Sequence, residues 1–345
     1  MSAGLEACDV PLVERFDLAL VDLDGVAYRG HLPVDGAADA LTGAHAAGMR
    51  VLFVTNNASR TPDVVADQLT GLGIPTAPDD VLTAALAAAA TLRERLDPGA
   101  TVLVVGADAL REAVRDQELV VVDSADDHPQ AVVQGFGPEV GWRQLAEAAY
   151  AVAGGAWYVA SNLDGSLPTV RGYAPGNGAL VAAVVTATRV EPDSCGKPSP
   201  VMYQIGQRRT GASRPLVVGD RLDTDLAGAR AGGYPGLHVL TGVSSGRDDV
   251  LAPPGLRPSF LGADLRALHT PHPVPQWTDG WWRCGPGAAR VHRGSDDSND
   301  TGVLELAGPD DIDLLRAACA AAWAFADTGG QLDASSVPEI GPHTG

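Results

Sequence analysis

Four times this chain runs through an almost unbroken apolar stretch and then stops on acids, amides or glycine. The stretches are "FDLALVDLDG" (16–25), "MRVLFVTNN" (49–57), "PLVVGD" (215–220) and "GLHVLTG" (236–242). A strand buried on both faces of a parallel sheet carries no polar alternation and reads this way. Helical segments follow the runs. After the second, Thr61 is placed to cap a helix, Pro62 to open it, and Gly71 and Gly73 to end it. After the third, "LAGARAGG" closes on Gly232 and Gly233. Strands alternating with helices predict an α/β fold built on a doubly wound parallel sheet.

The second and third runs lie far apart, and the segment between them has its own alternation. "TVLVVG", "ELVVV", "QAVVQG" and "AWYVASN" read as strands; "ADALREAVRD", 142–152 and 178–188 read as helices. We therefore expect a core domain from 1–84 and 190–269, with a large α/β cap domain inserted at 85–189. Such an insert over strand ends can act as a lid. Beyond residue 270 the texture changes. "PHPVPQWTDGWWRCGPG" reads as a linker entering a hairpin, "GVLELAG" as a strand and 310–327 as a helix. Residues 270–345 form a small C-terminal β/α extension whose role the sequence does not give. Trp277, Trp281 and Trp282 are expected to pack it, and the last dozen residues to lack order.

Charge narrows the partners. The net charge is −19, spread along the chain, which argues against nucleic acid and against an anionic membrane surface. The start, "MSAGLEACDV", has no basic segment followed by an apolar one, and "AALAAAA" is too short to span a bilayer. Cys8, Cys195, Cys284 and Cys319 lack metal-ligand spacing and read as free thiols. A cytoplasmic protein is expected. Oligomeric state, a homo-oligomer included, is left open.

The polar stops are where chemistry is expected. Asp22 and Asp24 end the first run, Thr55 and Asn56 the second, and Asp220 the third, with Asp223 and Asp225 just beyond. In an open parallel sheet, ligands bind outside the carboxyl ends of the strands at the switch point. "DLDG" could open a calcium loop, but Val26 and Pro33 stand where that loop needs oxygen ligands. A solvated turn explains any one of these segments alone; it does not explain all of them in this order. Converging carboxylates repel, and a hard divalent cation resolves the repulsion; oxygen ligands with retained waters suit Mg²⁺. A carboxylate nucleophile beside a metal points to phosphoryl transfer.

Lys197, in "DSCGKPSPVMY", is the only lysine; the other 23 basic residues are arginine. A compact ammonium can sit between a carboxylate and a phosphoryl oxygen where a planar guanidinium does not fit. One such charge at about 4 Å contributes about 4 kcal/mol at an effective dielectric of 20. A chance surface lysine is the plainer alternative. Gly196 is expected to permit a tight turn before a helix begun by Ser199 and Pro200.

"DLDGVAYRG", "VTNNASRTP", "GKPSPVMY" and "GDRLDTDLAGARAGG" together resemble, in order, the four motifs of the haloacid dehalogenase (HAD) superfamily. The insert resembles the cap of its type IIA phosphatases. That subfamily holds p-nitrophenylphosphatase-like, phosphoglycolate and glycerol-3-phosphate phosphatases. The whole chain looks most like the actinobacterial glycerol-3-phosphate phosphatases. The resemblance implies a Mg²⁺-dependent phosphatase of a small phosphorylated metabolite acting through an aspartyl-phosphate. Glycerol 3-phosphate is the first expectation, and 2-phosphoglycolate, a sugar phosphate or p-nitrophenyl phosphate the alternative. It implies Asp22 as nucleophile and Asp24 as general acid and base. Thr55, Asn56 and Lys197 would bind the phosphoryl group. Asp22, the Asp24 carbonyl and Asp220 would bind the metal, with Asp225 and Asp223 behind them. In the cap, Asn162, Asp164 and Arg171 are candidates for the substrate's organic part, or simply turn residues. Dehalogenases lack the second acid, and response-regulator receivers lack a cap, so Asp24 and the insert favour the phosphatase.

Overall fold

The computed structural model describes residues 4–169, 171–293 and 301–341. It divides into two compact units: Met1–Leu52, Leu72–Ile74 and Gln207–Gly345 in the first, and Phe53–Gly71 with Pro75–Gly206 in the second. No helix among the described residues is long and apolar enough to cross a membrane.

In the first unit the strands Phe260–Gly262, Gly236–Val239, Pro215–Gly219, Leu18–Val21 and the first half of Arg50–Thr55, as far as Leu52, lie side by side in that order. From Phe260–Gly262 through to Leu18–Val21 each neighbouring pair is parallel. Every residue of Leu18–Val21, Pro215–Gly219 and Gly236–Val239 is buried, which is why these runs show no polar alternation. The chain leaves Leu18–Val21 toward Arg50–Thr55 on one side, while later strands build outward on the other. Leu18–Val21 therefore sits at the switch in winding order, and its carboxyl end opens onto the crevice such sheets provide.

The C-terminal segment is part of this same unit. Gln276–Thr278, Trp281–Cys284, Gly287–Arg293 and Thr301–Ala307 form an antiparallel meander, extended by a parallel pairing to Gln331–Leu332. The Ile312–Asp327 helix, capped by Asp311, lies against it. Leu314, Leu315, Ala318, Cys319, Ala322 and Trp323 of the helix share one core with Ala289 and Leu304 of the meander, and with Val250 and Leu261 of the parallel-sheet region. Trp282 packs against this core, but Trp277 is exposed and meets Trp282 edge-on, so the tryptophans pack the module only in part. The expected lack of order in the last dozen residues is corrected. Ala334–Ser336 make a 3₁₀ turn and Val337 and Ile340 are buried in the shared core, because the tail carries two apolar residues with a surface to cover. Residues 342–345 lie outside the described residues.

The second unit holds its own parallel sheet, in the order Asp193–Ser194, Trp157–Ala160, Ala131–Gln134, Thr101–Val105, Val120–Val122. Helices Asp108–Asp116, Trp142–Ala153 and Asn177–Thr188 match the expected segments. An antiparallel hairpin, Ser166–Thr169 with Gly172–Pro175, is added. The second half of Arg50–Thr55 also belongs here and pairs in parallel with Val81–Thr83.

Candidate active site

In the first unit, Asp22 follows directly on Leu18–Val21, with its backbone N–H bonded to Val218 O at 2.9 Å. Asp220 follows directly on the neighbouring Pro215–Gly219 strand. The strand pairing thus delivers both carboxylates to one end of the sheet. Asp225 joins them through a single π turn over Leu222–Leu226, in which the Leu226 N–H reaches back to Arg221 O at 3.2 Å. Such turns commonly mark functional sites. Oxygens of Asp22, Asp220 and Asp225 all lie within 4.8 Å of one another. Asp220 and Asp225 are buried and Asp22 is half-buried.

The surroundings fix Asp220. Its Oδ2 accepts the Val243 N–H at 2.7 Å, and its backbone carbonyl accepts the Ser244 N–H at 3.0 Å. A Cβ on Gly25, where φ is +90°, would stand 2.5 Å from that Oδ2, and one on Gly242 would overlap it outright. Glycine at both places is what lets two loops close over the carboxylate. Thr241 Oγ1 donates to Gly25 O at 2.6 Å and ties the two loops together. The donor set fits a hard divalent cation: three carboxylates, oxygen only, two of them withdrawn from water. Among the described residues no other group of three metal-ligating side chains comes this close.

Asp24 is exposed, two residues past Asp22, and contributes no carboxylate oxygen to the group. Asp223 is also outside it. Arg221 Nε and Nη2 grip the Asp223 carboxylate at 3.1 and 2.8 Å, and this guanidinium, against some desolvation, holds its pKa below the usual value. Asp223 and Asp225 read alike in the sequence, and the π turn separates them.

The second unit carries a polar network. Asn56 Oδ1 accepts the Lys197 N–H at 2.8 Å, and Asn56 Nδ2 donates to Lys197 O at 3.1 Å and to both Asp164 oxygens at 3.3 and 3.2 Å. Asn162 Nδ2 donates to Asn56 O at 2.7 Å, while its Oδ1 accepts the Asp164 N–H at 3.2 Å. Lys197 is 4 % exposed and its Nζ donates to Val54 O at 3.3 Å. Thr55 ends its strand, and its Oγ1 accepts the Asn57 N–H at 3.2 Å. Arg171 is exposed in the turn of the added hairpin. Asn177 is the first residue of its helix, and its amide donates to Asn162 O at 2.7 Å. Gly196 is needed for close approach, since a Cβ would stand 2.6 Å from Ser161 O. The following helix begins at Val201, with Ser199 as its hydroxyl acceptor.

Two family comparisons match this chain: haloacid dehalogenase-like hydrolase over residues 19–120, and HAD-hydrolase-like over residues 194–268. D-glycerol 3-phosphate phosphatase of Mycobacterium tuberculosis is 43% identical over 316 residues, 90% of this chain and 87% of that protein. The chain belongs to the haloacid dehalogenase-like hydrolases. An acid sugar phosphatase of Staphylococcus aureus is a further relative of these hydrolases, 36% identical over 68% of this chain and 91% of its own. The crystal structure of M. tuberculosis glycerol phosphate phosphatase in complex with magnesium superposes with a TM-score of 0.82 at 42% identity, covering 91% of this chain and 92% of that one. The HAD fold with its cap is thereby established for this chain.

Sequence reading missed three groups that pack around Asp220 and its neighbouring loop: Thr241, the Val243 N–H and His238. His238 Nε2 lies 3.1 Å from Asp220 O, and a histidine inside an otherwise apolar strand was its available signal.

Proposed function

We propose that this chain, a HAD-type phosphatase, hydrolyses glycerol 3-phosphate with Mg²⁺ through an aspartyl-phosphate on Asp22. The observation that carries the reading is the group of three carboxylates at adjacent strand ends. The substrate is supported by the mycobacterial relative, whose match extends over most of both chains. Asp22, Asp220 and the Asp24 carbonyl would hold the metal, and Asp225 would complete or support the set. Bound there, Mg²⁺ would neutralise the carboxylates and the charge of the phosphoryl oxygens.

An oxygen of Asp22 attacks phosphorus, the P–O ester bond breaks, and Asp24 gives its proton to the departing alcohol oxygen. Asp24, now a base, takes a proton from water. That water attacks phosphorus, releasing inorganic phosphate and restoring Asp22. The exposure of Asp24 gives it access to both the alcohol and the water. Thr55 and the Asn56 backbone contribute hydrogen bonds to the phosphoryl group and Lys197 contributes positive charge. A buried ammonium is expensive unless it meets negative charge, which fits that assignment. Asn162 holds Asn56 in place, since its amide donates to Asn56 O and accepts the Asp164 N–H.

The test is phosphate release by the purified chain with Mg²⁺ from glycerol 3-phosphate, 2-phosphoglycolate, sugar phosphates and p-nitrophenyl phosphate. Glycerol 3-phosphate should give the highest kcat/KM. The staphylococcal relative makes sugar phosphates the second reading. Full activity in Asp22→Asn would overturn the mechanism.

A further inference from the structure

We infer that His238 is a positioning residue for Asp220 and that the C-terminal module holds it in place through Asp249 and Trp323. The inference rests on the reading of Asp220 as a metal ligand.

His238 is fully buried in the Gly236–Val239 strand. Its Nε2 lies 3.1 Å from the backbone carbonyl of Asp220. A carbonyl only accepts, so Nε2 carries a proton and donates it. On the other side of the ring, Nδ1 lies 2.8 Å from Asp249 Oδ2, and Asp249 is fully buried as well. The Asp220 carbonyl thus receives two donors, His238 and the Ser244 N–H, which leaves its peptide one orientation. That orientation aims the side chain into the three-carboxylate group.

Asp249 stands in the short Gly246–Val250 helix, and the C-terminal module packs on that helix. Trp323 Nε1, on the Ile312–Asp327 helix, donates to Asp249 O at 2.9 Å. Arg247 donates to Val337 O at 2.9 Å and to Ala334 O at 2.8 Å. A Cβ on Gly246 would overlap the Ile340 carbonyl, so the tail lies directly on the helix's first turn. An unbroken path of hydrogen bonds runs from Trp323 to the Asp249 backbone, from the Asp249 side chain to His238, and from His238 to Asp220.

Packing alone does not account for the pair. Two buried ionisable groups cost more than an apolar pair of the same volume, and Asp249 Oδ1 has no hydrogen-bond partner among the described residues. The return lies in what Nε2 fixes. Partners behind a metal's ligands orient them, and losing one weakens metal affinity by about 10–100-fold.

Two substitutions of one residue separate this from a general structural role. The amide nitrogen of glutamine reaches where Nε2 stands, and that of asparagine only where Nδ1 stands. Calorimetric titration of the full chain with Mg²⁺ should show His238→Asn weakened about tenfold and His238→Gln, which keeps the donor to Asp220 and loses the bond to Asp249, weakened less. Trp323→Phe, which removes only the N–H donor and some volume, should also weaken binding. Leu304→Ala, in the core of the module but off the path, should lower the melting temperature and leave Mg²⁺ affinity unchanged. Equal Kd values for His238→Asn and His238→Gln, or a loss in Leu304→Ala as large as in His238→Asn, would overturn the inference. Asp220→Asn, measured alongside, should abolish the binding. If it does not, the assignment of Asp220 fails, and the positioning role falls with it for that separate reason.

Discussion

Replacing Asp220 by asparagine should stabilise the protein when metal is absent and lose most of that advantage when metal is present. Two unit charges at the 4.8 Å limit of this group repel by about 3.5 kcal/mol at an effective dielectric of 20. Asp220 and Asp225 are both buried and keep most of that. Asp22 is half-exposed, so its repulsion with Asp220 is screened toward 1 kcal/mol or less, leaving about 3–4 kcal/mol in all. The asparagine oxygen can still accept the Val243 N–H, and its amide can donate to the two remaining carboxylates. In EDTA the variant should therefore melt above the unaltered protein, by roughly 6–16 °C for a unit of this size. At a hundred times Kd, Mg²⁺ adds about 2.7 kcal/mol to the unaltered protein, and the variant should gain little. Differential scanning calorimetry in EDTA and in Mg²⁺ reads both arms. A variant less stable in EDTA, with an undiminished Mg²⁺ shift, would refute the clustering of charge around one cation.

Lys197→Ala should lower kcat by about 10²–10³, and Lys197→Arg should not restore it, because the guanidinium has a different shape; steady-state kinetics against glycerol 3-phosphate decide this. Leu315→Ala should destabilise the first unit by about 2–5 kcal/mol in urea unfolding, since Leu315 is fully buried where the terminal helix meets the parallel-sheet region. Burial, with the Arg316 guanidinium nearby, lowers the His272 pKa to about 4 although the Ala267 carbonyl opposes this. Its contribution is therefore complete above the ordinary imidazole value of 6.5 and is lost as pH falls toward 4. That loss reaches about 3 kcal/mol, and urea titrations across this range should show a shallower slope in His272→Gln.

The parallel strands were legible because burial on both faces removes polar alternation. Leu18–Val21 and Pro215–Gly219 could hardly be anything else. The polar residues that end them were legible for the same reason, as abrupt stops in an apolar run. What the sequence hid depends on local geometry. Asp223 and Asp225 share one acidic turn, and only the extra residue of a π turn buries one and leaves the other to Arg221. The hairpins Tyr28–Arg29 with Leu32–Pro33 and Ser166–Thr169 with Gly172–Pro175 are short, and the second is largely exposed, so no apolar period announces them. His238 was passed over because one polar residue in a hydrophobic run carries no label until Asp249, in the next helix, is placed against it. The tail near Val337 and Ile340 looked unstructured because its partner surface lies elsewhere in the chain.

The central claim is that Asp22 takes up the phosphoryl group beside a metal held by Asp220. Acid quench of the protein during turnover of glycerol 3-phosphate, followed by peptide mass spectrometry, tests it most directly. The account predicts one phosphoryl group on Asp22 that appears only with Mg²⁺ and is absent from Asp22→Asn. Phosphoryl on any other residue, or steady turnover by Asp22→Asn, would contradict it.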